Sequence, residues 1–231
     1  MGLPFAASLR ALVRPGAAFP GEAPPLGRAV GTMLAAWAPP VLVNAGLTVW
    51  QGLQGYGALC QNGPPPWLAE RLARGLGGDP EDLGRLLASL PPPPAFGRVW
   101  PWLLLAVPLI LLGTWFHHAV WDHMGLWLVG GLKGKRGFRA SLGAEAEALR
   151  ITALGALVGL LGFLPGLGLL LAVPLLLLDG YLWLFRGFAL AARHGCEPWR
   201  GVAATVVHAA LLGICALGLG VTLLALLGAA A

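Results

Sequence analysis

Five apolar blocks constrain this chain more than any other feature. Residues 29–50, 100–130, 166–190 and 202–228 each hold an apolar run of spanning length, since a helix rising 1.5 Å per residue needs about 20 residues to cross the hydrocarbon. A fifth block, 150–164, is shorter, and only FLPGLG separates it from the next. Pro165, Gly166 and Gly168 in that turn break a helix and permit a tight reversal, so the two blocks read as a helical hairpin. With 57% apolar and 11% charged residues, the chain departs from the roughly 45–50% and about 25% of soluble domains. The expected fold class is all-α: a polytopic integral membrane helical bundle of five transmembrane helices. Residues 1–27 form an N-terminal segment, and 28–231 a five-span membrane domain with a loop at 51–98.

Basic residues set the expected orientation, because segments rich in Lys and Arg stay in the cytoplasm. With the N-terminus cytoplasmic and the C-terminus extracytoplasmic, eleven of the 15 basic residues fall inside: Arg10, Arg14, Arg28, Lys133, Lys135, Arg136, Arg139, Arg150, Arg186, Arg193 and Arg200. The other four, Arg71, Arg74, Arg85 and Arg98, lie in the 51–98 loop, where Glu70, Asp79, Glu81 and Asp82 offset them. The pI of 9.7 therefore reports topology and attraction to anionic headgroups rather than nucleic acid, since the basic residues are not interleaved with stacking aromatics in a polar stretch. The excess of Arg over Lys and the abundance of Ala, Gly, Pro and Leu fit a GC-rich genome and a bacterial cytoplasmic membrane.

Outside the spans the pattern is sparse. The N-terminus lacks the early basic region of a signal peptide, and Ala6 stands where a myristoylation motif wants Ser or Thr. Phe5, Leu9, Leu12 and Val13 fall at helical spacing opposite Arg10 and Arg14, as in a helix lying in the headgroup plane. Within the loop, residues 65–74 and 79–90 read as two short helices, the second with Asp79 as cap and Pro80 in its first turn.

FHHAVWDHMGLWLVGG, residues 116–131, puts polar groups in an apolar run. A helix entering at Trp100 has crossed the hydrocarbon by about Trp121, some 20 residues later. His117, His118, Asp122 and His123 should therefore lie near the cytoplasmic interface, among Trp115, Trp121 and Trp127. His118 and Asp122 are i and i+4, which predicts a local pair. Asp179 and His208 each lie seven residues from a span end, at Arg186 and Gly201, so they should sit at equal depth and could pair across spans. Such groups are either a proton relay or ion-binding vestibule, or interhelical hydrogen bonds that hold a bundle together, and the last reading is the favoured one.

Other chemistry finds little support. The spacing around His118 and Asp122 supplies no third metal ligand, and Cys60, Cys196 and Cys215 form no CxxC pair. The serines, Ser8, Ser89 and Ser141, fall outside the middle of the expected spans, and GxSxG, P-loop and HExxH motifs are absent from the sequence. The expectation is a non-enzymatic protein without metal or cofactor. Gly155, Gly159 and Gly162, with Ala209 and Gly213, give small-xxx-small spacing compatible with helix packing or self-association. Pro39, Pro40, Pro108 and Pro174 interrupt three spans, as kinks or as the broken helices that line transporter sites.

HMGLWLVGGLKGKRGFRASL, a span ending FLPGLG, and a longer span closing as LFRGFALAARHGCEPWRGVAA together resemble the Yip-domain family of polytopic membrane proteins, the Ypt/Rab-interacting group, over residues 123–203. The matching positions are His123, Gly130, Gly131, Phe138, Arg139, Pro165, Gly166, His194 and Gly195. The resemblance implies five spans, a cytoplasmic N-terminus and, from the family's eukaryotic members, a membrane-organising or trafficking role; its bacterial relatives, the type this chain resembles, have no agreed activity. The stretch from Arg139 to Pro165 is longer than the family's and carries Glu145, Glu147 and Arg150, and the acidic DLYGP-like segment is absent, so Rab binding does not carry over.

Two functions follow. The first is membrane organisation through contact with the bilayer, with anionic headgroups or with a membrane protein partner, using the basic loop of Lys133, Lys135, Arg136 and Arg139. The alternative is a small transporter or ion conduit, similar to the sulfate-permease-like family, using His117, His118, Asp122, His123, Asp179 and His208.

Overall fold

The computed structural model describes residues 4–76, 79, 85, 89–132, 136–164 and 166–230, and every regular element among them is helical. In chain order these are α1 (Pro4–Val13), α2 (Leu26–Asn62), α3 (Pro66–Leu76), α4 (Phe96–Leu128), α5 (Phe138–Gly159), α6 (Leu167–His194) and α7 (Pro198–Ala230). Short 3₁₀ turns cover Pro15–Ala17 and Leu160–Phe163. Five helices among the described residues are long and apolar enough to cross a membrane: α2, α4, α5 with its 3₁₀ extension, α6 and α7. Their outward faces are apolar, with Leu169 88% and Leu217 72% exposed, the pattern expected where lipid replaces water as solvent.

Two boundaries differ from the sequence reading. The third span, expected at 150–164, begins at Phe138, because Glu145 and Glu147 lie within the helix and are buried. The first span runs on to Asn62 rather than ending at 50, which shortens the loop that follows. Pro39 and Pro40 lie inside α2 and Pro174 inside α6. The second short loop helix, expected over 79–90, falls largely outside the described residues, whereas the first is α3.

The chain divides into two compact units, Leu42–Val107 and the remainder. In the smaller unit, Tyr56 donates its hydroxyl to the carbonyl of Pro91 at 2.8 Å. There the Trp100 ring also fills the space above Gly46, where a Cβ would sit 2.7 Å away.

The larger unit is organised around α5, whose residues Gly143–Leu149 are all buried. Ala144, Ala146, Ala148 and Ala153 leave room for neighbours on every side. One core cluster joins Phe19, Ala148, Ile151, Phe185 and Leu190, and a second joins Ala29, Met33, Ala146 and Leu149. Tryptophan N–H groups stitch the helices by donating to main-chain carbonyls: Trp37 to Leu149, Trp115 to Leu142 and Trp183 to Thr205. Trp115, expected at the headgroups, is thus an interhelical donor. The amphipathic segment expected near the N-terminus is α1, docked on this unit by Ala11 and Leu12, with the Leu12 carbonyl accepting from the Tyr181 hydroxyl.

Helices α6 and α7 meet through a short turn. Gly195 adopts φ +66°, and the Cys196 N–H closes back on the Ala191 carbonyl at 3.0 Å, a left-handed cap that favours glycine. Beyond it the two backbones approach so closely that a Cβ on Gly187 would lie 2.5 Å from the main chain of Val202.

Candidate functional site

Four helices of the larger unit each send one charged or ionisable side chain to a common point. Asp122 comes from α4, Glu145 from α5, Arg186 from α6 and His208 from α7, and each is 2% exposed or less. Arg186 donates from Nε to Glu145 Oε2 at 2.9 Å and from Nη2 to Asp122 Oδ2. His208 Nδ1 lies 2.6 Å from Asp122 Oδ1. An ionised carboxylate only accepts, so while Asp122 is ionised a neutral His208 carries its proton on Nδ1 and turns the lone pair of Nε2 away from Asp122.

Aromatic rings enclose this quartet. The Arg186 guanidinium lies 4.5 Å from the centre of the Trp183 ring. His208 stacks on Trp121 at 6.0 Å and 12°, and Trp183 packs against it at 4.9 Å. The imidazoles of His117 and His118 flank it at 5.4 and 5.6 Å.

The quartet is not closed. Glu145 Oε1, Arg186 Nη1, His208 Nε2 and His118 Nδ1 are buried without a hydrogen-bond partner among the described residues, although buried polar groups are nearly always paired. A cavity of about 200 Å³ lies beside them, with Arg186, His118, Thr152, Trp37 and the exposed Asp179 in its lining.

A second ion pair nearby provides a contrast. Arg193 grips Glu147 with Nε and Nη2 at 2.8 and 2.6 Å, and its Nη1 donates to the Gly21 carbonyl at 2.8 Å. One guanidinium meets one carboxylate, and every arm of the fork is used. Next to it Ser141 Oγ bridges His123 Nδ1 and His194 Nε2 at 2.8 and 2.9 Å.

Two pairings expected from sequence are corrected. His118 does not bond Asp122, whose oxygens are taken by Arg186 and His208. Asp179 does not meet His208 and makes no ion pair among the described residues; it lines the cavity that ends at Arg186. His117 is exposed with its ring beside His208, and His123 belongs to the serine bridge. Lys133 and Lys135 lie outside the described residues. Arg136 donates to the Arg193 carbonyl at 2.6 Å, and Arg139 is exposed.

Sequence reasoning missed Glu145 and Arg186. Arg186 reads as a cytoplasmic anchor and Glu145 as part of a long connection, because hydropathy counts a charge as the end of a span. One signal was available: Arg186 and Arg193 are seven residues apart, on one face of a helix, with Glu145 and Glu147 in the preceding helix to match them. Among the described residues no group of three His, Cys, Asp or Glu could hold a metal ion. No family model, curated protein or solved structure matches the chain.

Proposed function

We propose that this chain is a small multi-pass membrane transporter or conduit that carries protons, alone or against a second ion, on the Asp122–Glu145–Arg186–His208 quartet. The observation that carries this reading is the charge count. Two buried carboxylates share one guanidinium, so with a neutral His208 the quartet bears one uncompensated negative charge. An isolated charge in an apolar interior is expensive, so the quartet must hold one more positive charge, either a proton or a cation. A site built only to fasten helices would close as Arg193–Glu147 does.

The geometry supplies a route. A proton reaching His208 Nε2 makes the imidazole cationic, and Nδ1 then passes its own proton to Asp122 Oδ1 across 2.6 Å. Asp122 becomes neutral and Arg186 is left balanced by Glu145 alone. Loss of that proton restores the negative charge, which a cation entering past Asp179 would offset. The same groups thus have two charge states, as coupled transport requires.

Sidedness belongs to the same proposal. Arg186 and Arg193 are buried in ion pairs and give no topology signal. The nine remaining basic residues of the eleven still favour a cytoplasmic N-terminus, in a bacterial cytoplasmic membrane.

The test is proton flux into vesicles that hold the purified full chain and a trapped pH indicator, under an imposed membrane potential. Wild type should acidify the lumen, and Asp122→Asn and Glu145→Gln should abolish the signal while eluting as folded protein. Undiminished flux in Asp122→Asn, or none in wild type, would reduce the quartet to a packing device.

A further inference from the structure

A second cavity, of about 490 Å³, lies where Pro24, Pro25 and Leu26 face Arg136, Arg139 and Arg193. Three helix ends gather there: α2 begins at Leu26, α5 at Phe138, and α6 ends at His194. All three are of membrane-spanning length, and the ends of such helices lie at the level of the lipid headgroups.

The charge in this cavity is unbalanced. Arg193 is neutralised by Glu147 and fixed to the Gly21 carbonyl, so it acts as a wall. Arg136 uses Nη1 on the Arg193 carbonyl and keeps Nε and Nη2. Arg139 makes no hydrogen bond or ion pair among the described residues. Among the described residues no acidic side chain lines the cavity; Glu22, just before the proline wall, is exposed and outside the lining.

The opposite wall has different chemistry. Pro24 and Pro25 carry no N–H, and the Pro25 carbonyl is taken by the Arg28 and Ala29 N–H groups, so with the Leu26 side chain this wall is mainly apolar. A ligand that satisfies both walls has an oxyanion for two guanidinium forks, which match phosphate oxygens in pairs, and an apolar body beside it. We propose that this cavity binds the phosphodiester headgroup of an anionic phospholipid. Free phosphate satisfies the arginines but leaves the apolar wall unused. The site is separate from the quartet, so each assignment can fail without the other.

The test is lipid retention by the full chain, measured by native mass spectrometry and in nanodiscs of phosphatidylcholine with and without phosphatidylglycerol. Wild type should retain phosphatidylglycerol selectively, and Arg136→Gln and Arg139→Gln should each weaken it about fivefold, the worth of one headgroup-facing cation. Arg139→Gln removes no protein hydrogen bond, so its thermal unfolding should match wild type, and Arg139→Lys should restore part of the affinity. Three results would overturn the assignment: equal retention of both lipids by wild type; inorganic phosphate displacing phosphatidylglycerol at equal concentration; or loss of selectivity on neutralising Lys133 and Lys135 while the arginine variants keep it.

Discussion

Arg186 and Arg193 share one face of α6 and are held in opposite ways, and the difference can be measured. Removing one partner of a buried ion pair strands the other charge, whereas replacing the whole group with apolar side chains is often neutral or stabilising. Arg186→Met and Arg193→Met should each cost about 3–5 kcal/mol, read as thermal unfolding in detergent. Replacing Glu147 together with Arg193 by Leu and Met should recover stability and leave proton flux intact. Replacing Asp122, Glu145 and Arg186 together should recover stability yet abolish flux; a triple variant that still conducts protons would sink the proposed mechanism. The sequence made Asp122 and His208 visible because a polar letter in an apolar run stands out. Their mutual contact was not visible: they are 86 residues apart, and i, i+4 spacing offered His118 as the local partner.

At the scale of helices, contact depends on which glycines meet backbone. Of the stripe at Gly155, Gly159 and Gly162, Gly155 lies under Leu182, whereas Gly159 has nothing within 4 Å of where a Cβ would sit. Gly213, from the companion motif, faces open space, while the tightest approaches to another helix's main chain are Gly187 with Gly201 and Val202, and Gly125 with Ala204. Periodicity shows where a backbone can be approached but does not pair helices. Gly187→Val should therefore force α6 and α7 apart at the residue next to Arg186. Overpacking of this kind costs about 1–3 kcal/mol, and flux should fall with it because Arg186 and His208 sit on the two separated helices. Gly213→Val should change neither unfolding nor flux.

The count of apolar helices was legible in the whole sequence because the bilayer fixes one length for every span. The start of α5 was not, since Glu145, Glu147 and Arg150 lower local hydropathy and the partners that make two of these charges tolerable lie on α6. Sidedness can be tested with Cys196, which lies in the turn between α6 and α7. With Cys60 and Cys215 replaced by Ala, a membrane-impermeant maleimide should label Cys196 in inside-out vesicles and not in intact cells. A cysteine at Pro92 should show the reverse, and labelling of Cys196 from outside would invert the proposed topology. Burial pushes the Cys196 thiol above its ordinary pKa. Less of it is thiolate at neutral pH, so labelling should be slow at pH 7 and speed up as the pH rises.

The quartet draws one side chain from each of four successive long helices, and this imposes an order on biogenesis. A ribosome delivers Asp122 well before Arg186, and Arg186 before His208. Until Arg186 is made the two acids lack their guanidinium, and from there to His208 they compete for it inside a half-built bundle. The imidazole comes only with α7, so the charge centre closes when that helix joins the three that carry the other members.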